Sequence, residues 1–148
     1  MLLLKLTQEA LQCAALSGAQ VSIADDPWHC MELLQVGPGQ LRIVVLYEGE
    51  DTTGDNPHIH GVCAVKLRVI VSRGRGLALP RGESKVGAAD NTGLADWART
   101  VRDTLRNSIL NGGQFRSNWR YQGTETLEAP ERLAWDAYAL RFEVLEAN

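Results

Sequence analysis

The stretches LRIVVLY at residues 41–47 and VCAVKLRVIV at residues 62–71 decide how this chain folds. Both are rich in β-branched side chains, which fit a pleated, half-buried surface, so each predicts a strand. The segment EGEDTTGDNPHIHG between them is polar and rich in turn residues. We therefore predict a long-looped antiparallel hairpin at the centre of a sheet.

Helical periodicity flanks this hairpin. Apolar residues recur at helical spacing over residues 3–16 and, more clearly, over residues 94–110, where the apolar stripe runs to Ile109. Asn91 or Thr92 can cap the start of the second helix. We expect these two helices to be the main ones, and the second to pack across one face of the sheet.

Shorter elements complete the chain. Residues 21–23 predict a short strand, and Asp25 or Asp26 can cap a short helical segment that follows, although this segment could equally be irregular. Residues 119–124 and 137–145 alternate between large or apolar and polar side chains, which predicts two closing strands.

The order of these elements indicates the fold class. Strands follow one another directly in two places, so an antiparallel or mixed sheet is favoured. We predict an α+β fold: a mixed, mainly antiparallel sheet of four to five strands packed by two main helices. At 148 residues, we expect a single α/β domain over residues 1–148, with long loops at residues 48–61 and 72–93.

The amino terminus, MLLLKLTQEALQCAALSGA, begins like a signal peptide, but its uninterrupted apolar run is too short for one. Lys5, Gln8 and Glu9 interrupt the apolar run, and no stretch approaches the roughly 18 apolar residues of a membrane span. We expect a protein made in the cytoplasm with no membrane partner. A second interpretation of this stretch makes residues 1–6 a short strand and lets Thr7 cap a shorter helix.

Charge and cysteine usage narrow the function classes. The formal net charge of −3 argues against a generally basic nucleic-acid binder. Cys13, Cys30 and Cys63 are odd in number and lie far apart, which favours reduced thiols over a disulfide framework.

A metal site is the first chemical hypothesis to weigh. His58, His60 and Cys63 lie at i, i+2 and i+5, and Cys30 or His29 could supply a fourth zinc ligand. The spacing matches no established zinc knuckle, and Cys63 begins an apolar strand, where free cysteine behaves as a small hydrophobe. We therefore favour no metal and no cofactor, and keep a small metal-binding domain as an alternative.

The acidic residues Glu48, Glu50, Asp51 and Asp55 do not have the offsets of a calcium loop, and strands rather than helices flank them. They predict a solvated acidic hairpin tip.

The cations Arg73, Arg75, Arg81 and Lys85 lie in a glycine-rich segment that lacks the phosphate-binding pattern GxxxxGK[ST]. We interpret this segment as a solvated loop or a subunit contact, so exchanging Arg73 and Arg75 for glutamate is expected to spare the fold and weaken assembly. No serine has a G-x-S-x-G context. Nothing in the sequence nominates a catalytic residue, which favours a protein that is not an enzyme.

Three tryptophans could lie either at an interface or in the core. Trp28, Trp119 and Trp135 could anchor an interface, because tryptophan is enriched at such anchors. Core packing is the simpler explanation, and we expect it for at least two of them.

The order of elements resembles the tail terminator (tail completion) proteins of long-tailed phages, the minor tail protein U type. The resemblance runs from the amino-terminal helix through the hairpin LRIVVLY…VKLRVIV and the helix LADWARTVRDTLRNSIL to WRYQG and the closing strand YALRFEVLEA. An alternating strand at the carboxyl end, after a W-x-Y-x-G strand, is its most telling part. The family is defined by architecture more than by invariant residues, and both loops of this chain are long for it.

The resemblance implies a subunit of a hexameric ring that caps the tail tube, stops its growth and joins tail to head. Its partners would be other copies of itself, the tail tube protein and head–tail connector proteins, with DNA passing through the lumen unread. The protein would be made in the host cytoplasm and lie at the head-proximal end of the virion tail. Other connector or neck proteins of a phage remain an alternative.

The resemblance also suggests roles for the two charged segments. An acidic lumen would suit DNA passage, and Glu48, Glu50, Asp51 and Asp55 are its candidate source. The segment from Arg73 to Lys85 is the candidate contact with neighbouring subunits or with the tube.

Overall fold

The computed structural model describes residues 1–14, 16, 18–35, 39–52, 61–74, 87–88, 91–127 and 135–147. Within these ranges the helices are α1 Leu2–Cys13, α2 Pro27–Leu34 and α3 Leu94–Arg106. The strands are β1 Gln20–Ala24, β2 Leu41–Thr52, β3 Val62–Gly74, β4 Gly87–Ala88, β5 Asn91–Thr92, β6 Arg120–Leu127 and β7 Trp135–Ala147. None of the described helices is both long and apolar enough to span a membrane.

Five strands form one mixed sheet in the order β1-β2-β3-β7-β6. β1 runs parallel to β2, since α2 carries the chain back across the sheet between them, and the other neighbours are antiparallel. β4 and β5 pair with each other as a separate small ladder. The prediction of an α+β fold with a mixed, mainly antiparallel sheet is confirmed, and the central hairpin is β2–β3.

Helices pack on both faces of this sheet. On one face, α1 and α3 cover a large apolar cluster that includes Ile43, Val69 and Phe142. On the other face, α2 covers a smaller cluster that includes Val44 and Ile70. Adjacent strand residues point to opposite faces, so the continuous apolar runs of β2 and β3 reflect burial on both sides.

A buried hydrogen-bond chain joins the amino-terminal helix to the start of β6. The indole Nε1 of Trp119 donates to Thr7 Oγ1 at 2.9 Å, and Thr7 Oγ1 donates to the Leu3 carbonyl at 2.7 Å. Thr7 therefore lies inside α1, and the alternative in which it caps a shorter helix is wrong. Burial of Trp119 and Trp135 confirms that at least two tryptophans pack in the core.

Both sides of the central hairpin are longer than predicted. Gly49 was expected to begin a turn, but at φ 114° it lies where the register between β2 and β3 shifts, and β2 continues to Thr52. A bulge absorbs one extra residue without ending the ladder. β3 likewise continues to Gly74, because its last residues pair with the first residues of β7. The segments expected as loops at 48–61 and 72–93 thus begin as strand.

The clearest helix is shorter than its apolar stripe. α3 ends at Arg106, and Ile109, expected on the buried side, is 73% exposed. The Leu110 backbone N–H donates to Asn118 Oδ1 at 2.9 Å, so this amide is engaged outside the helix. At the other end, Gly93 is the N-cap and provides no side-chain bond, while Asn91 and Thr92 belong to β5.

This difference gives a matched pair of substitutions. Leu105→Ala should lower the free energy of unfolding by about 2–5 kcal/mol, because Leu105 is fully buried beneath α3. Ile109→Ala should change it by less than about 0.5 kcal/mol. Urea unfolding followed by circular dichroism measures both. Equal losses in the two variants would mean that the helix extends past Arg106 and buries Ile109.

Candidate interaction site

The sheet face that carries α2 is divided into an apolar part and a charged part. Residues of β2, β3, β6 and β7 line an open concavity of about 380 Å³, next to the bulge in β2 and a second register shift between Tyr121 and Gly123 of β6. We call this surface the charged face; its polar lining consists of Glu48, Lys66, Arg68, Gln122, Arg141 and Glu143.

Cross-strand register places these side chains together. Lys66 lies opposite Glu143, which in turn lies opposite Arg120, so one row of three strands alternates in charge. Arg68 and Arg141 are also opposite one another, where two like charges would repel.

Arg68 is neutralised from both sides. Its guanidinium forms an ion pair with Glu48, and its Nη2 lies 3.3 Å from Glu125 Oε1. The Arg141 Nη2 extends toward Gly123 and lies 3.6 Å from where a Cβ would be, which is an ordinary van der Waals contact. Glycine is favoured at position 123 by its φ of 144° rather than by lack of space.

Two further ion pairs complete the network. Lys66 Nζ pairs with Asp51, whose carboxylate raises the pKa of Lys66, and Arg120 Nη1 lies 3.3 Å from Glu143 Oε1. Exposed pairs of this kind contribute little to stability, because water and salt screen them. These pairs balance the positive and negative charges of the surface. A balanced surface can orient a charged partner, but it attracts a polyanion only weakly.

The four residues predicted to form an acidic hairpin tip do not form one common loop among the described residues. Glu48 and Asp51 are strand residues that pair with cations on the charged face. Glu50 accepts a weak bond from the Cys63 thiol, with 3.8 Å between Sγ and Oε2. Asp55 lies outside the described residues. The first three carboxylates are exposed, as expected, but they lie in a strand rather than in a loop, because the ladder continues through them.

The described residues contain no grouping of three potential metal ligands. Burial raises the pKa of the Cys63 thiol, and nearby Glu50 and Glu146 raise it further, which disfavours the thiolate that zinc binds. Cys30 belongs to the cluster under α2, on the opposite face of the sheet from Cys63, so it is wrongly placed as a fourth ligand. His58 and His60 lie outside the described residues.

His29 is fixed by the start of α2. Its Nδ1 accepts from the Asp25 backbone N–H at 3.0 Å and lies 3.4 Å from the Asp25 carboxylate. Its own backbone N–H donates to Asp26 Oδ1 at 2.8 Å, which confirms an aspartate cap at this helix.

Arg73 lies in β3 rather than in a loop, and only 6% of its surface is exposed. It pairs directly across the ladder with Asp136, which is also buried. Burial lowers the pKa of the Arg73 guanidinium. The expectation that Arg73 is a solvated loop residue is wrong, because β7 extends far enough to pair with it. Arg75, Arg81 and Lys85 lie outside the described residues.

Sequence reasoning missed the charged face and the surface of α2. Lys66 and Arg68 interrupt an otherwise apolar strand at i and i+2, and this spacing could have indicated a polar patch on one face. Trp28 is 82% exposed in the first turn of α2, whereas the other two tryptophans considered are buried.

Comparisons with known proteins bear on the fold. No protein-family model matches the sequence. No curated protein matches it. Among solved structures, a chain of the "Virion of native gene transfer agent (GTA) particle" matches with a TM-score of 0.55 and 17% sequence identity. The match covers 96% of this chain and 92% of that chain, so the two share a fold over nearly their whole lengths.

The burial of Arg73 makes a prediction opposite to that from the sequence. Arg73→Glu should lower the free energy of unfolding by about 3–5 kcal/mol, because it places a second negative charge beside buried Asp136. Lys5→Glu, on the exposed side of α1, is the control and should have little effect. Denaturant unfolding of both variants measures the change. If the Arg73→Glu protein were as stable as the wild type, the side chain at position 73 would lie in solvent.

Thiol reactivity tests the cysteine environments. Burial raises the pKa of Cys30 to about 11 and also raises that of Cys63, whereas Cys13 is exposed. In the native protein at pH 8 one thiol of three should therefore react rapidly with an aromatic disulfide reagent, since the thiolate is the reactive form. Cys13→Ser should remove this phase. A rapid phase that persists would show that one of the other thiols is accessible.

Proposed function

We propose that this chain is a structural subunit of a phage-like virion. The observation that carries the proposal is the fold shared with a chain of a gene transfer agent virion over nearly the full length of both chains.

More specifically, we propose a tail terminator: a hexameric ring that caps the tail tube, stops its growth and joins the tail to the head. Its partners are copies of itself, the tube protein and the head–tail connector, at the head-proximal end of the tail. The support for this finer role is the resemblance in element order. The edge strands β1 and β6, each paired on one side only within the described sheet, support subunit contacts at both ends.

In this proposal Glu48, Glu50, Asp51 and Asp55 face the lumen of the ring. The carboxylates of Glu48 and Asp51 are balanced by Arg68 and Lys66, so this part of the surface presents little field of a single sign. Such a surface suits DNA that passes without being bound, because binding would require clustered cations. Arg75, Arg81 and Lys85 stay candidates for contact with a neighbour or the tube, whereas Arg73 is buried within its own subunit.

Particle mass and shape test the proposal. Light scattering on a sizing column, with and without purified tail tubes, should yield a species six times the 16.3 kDa chain mass or tubes capped at one end. Negative-stain images should show six-fold rings. A chain that stays monomeric at every concentration and leaves tubes uncapped would refute the terminator role. Binding to a head connector alone would favour another neck component.

A further inference from the structure

The surface of α2 combines an exposed aromatic ring with carboxylates. Trp28 is 82% exposed, and Asp25, Asp26 and Glu32 around it are exposed too. Glu32 follows Trp28 by four residues and so lies on the same side of the helix. The sequence of α2, PWHCMELL, contains no lysine or arginine. We call these four residues the α2 patch.

The α2 patch is held in a fixed geometry. Asp26 caps α2 and Pro27 occupies its first turn, while Cys30 and Leu34 pack beneath the helix in the apolar cluster. The backbone that carries Trp28 is therefore already ordered before it binds, so only the side chain loses conformational freedom. Aromatic anchors on rigid elements are typical of the residues that dominate binding energy at interfaces.

A complementary surface lies on the other side of the molecule. A groove of about 190 Å³ runs between α3 and β6, and its lining includes Ala95, Ala98, Arg99, Arg102, Tyr121 and Tyr138. The Arg102 Cζ lies 5.8 Å from the centre of the Tyr121 ring. We call this surface the α3 groove. Arg99 pairs with Asp96 and Arg102 with Asp103, and exposed Arg106 leaves the rim with an excess of positive charge.

Size and charge fit the α2 patch to the α3 groove. A cavity of about 150 Å³ is sufficient to bind benzene, so the groove can admit one aromatic ring. Its alanine floor offers apolar contact, and its guanidinium groups can stack on the face of an indole. Arg99 Nη1 lies 3.9 Å from Asp96 Oδ1 in a loose, exposed pair, and 71% of the Arg99 side chain is exposed, so it can also reach the carboxylates beside Trp28.

The positions of the two surfaces determine how copies would join. α2 contacts β1 and β2 at one edge of the sheet, whereas α3 contacts β3, β7 and β6 on the opposite face. A molecule cannot readily present both surfaces to one neighbour. Contact between them is therefore head-to-tail, and such a contact closes into a ring when its rotation allows.

We propose that the α2 patch of each copy docks into the α3 groove of the next copy. This inference rests on the proposed ring and names the surfaces that build it. Trp28 enters the groove beside Arg102, and the acidic side chains at residues 25, 26 and 32 pair with Arg99 and Arg106.

Charge reversal on either surface should block assembly, and mixing the two variants should restore it. In Asp25→Arg/Glu32→Arg both surfaces are basic, and in Arg99→Glu/Arg106→Glu both are acidic, so each variant alone repels its own copies. A one-to-one mixture can alternate the two chains around an even-numbered ring, with every contact joining opposite charges. Light scattering at low salt should show monomers for each variant and rings for the mixture.

Two matched substitutions complete the experiment. Trp28→Ala should weaken association by about 30-fold or more while leaving the unfolding midpoint unchanged, because an exposed side chain contributes little to the fold. Glu9→Arg, on the exposed side of α1, should leave assembly intact. Rings of the wild type together with rings of every variant would overturn the inference and leave the proposed function standing. A wild type that forms no ring, alone or on tail tubes, would overturn both.

Discussion

The pairing of β3 with β2 on one side and β7 on the other is the constraint on which the rest of the structure depends. β3 is central in the sheet and buried on both faces over most of its length. Its odd-numbered residues must fit beneath α1 and α3, and its even-numbered residues beneath α2. Where α2 ends, the even positions become Lys66 and Arg68, and the charged face begins. One strand therefore fixes both the core and the main polar surface.

The parts of this arrangement that the sequence predicted are those set by local patterns. Strand patterning and helical periodicity located the central hairpin and the two main helices, because each pattern extends over several turns or residue pairs. The short helix α2 was suggested only by its aspartate cap and Pro27, and an irregular segment stayed an alternative. The lengths of β2 and β3 were missed for a physical reason: Gly49 serves equally well in a turn and in a bulge. Only the pairing partner decides between them, and that partner is distant in sequence.

The candidate site was harder to predict, because exposure is a property of packing and not of residue type. Arg73 is buried since β7 extends alongside it, and Trp28 is exposed since α2 turns Cys30 and Leu34 toward the sheet. The glycine-rich, basic composition around Arg73 favoured an exposed loop residue instead. The acidic residues of the hairpin were located correctly in sequence, yet register with β3 gives Glu48 a cationic partner that no local pattern shows.

The connection β1–α2–β2 links these observations to assembly. Because β1 is parallel to β2, the chain must cross the sheet, and the crossing helix lies on the face opposite α1 and α3. An entirely antiparallel meander could leave all helices on one face, so that any two contact surfaces would lie side by side. The crossover through α2 instead separates an acidic aromatic surface from the α3 groove by the thickness of the sheet. A head-to-tail contact requires two unlike surfaces on opposite sides of each copy. The same separation prevents the two surfaces of one copy from contacting each other.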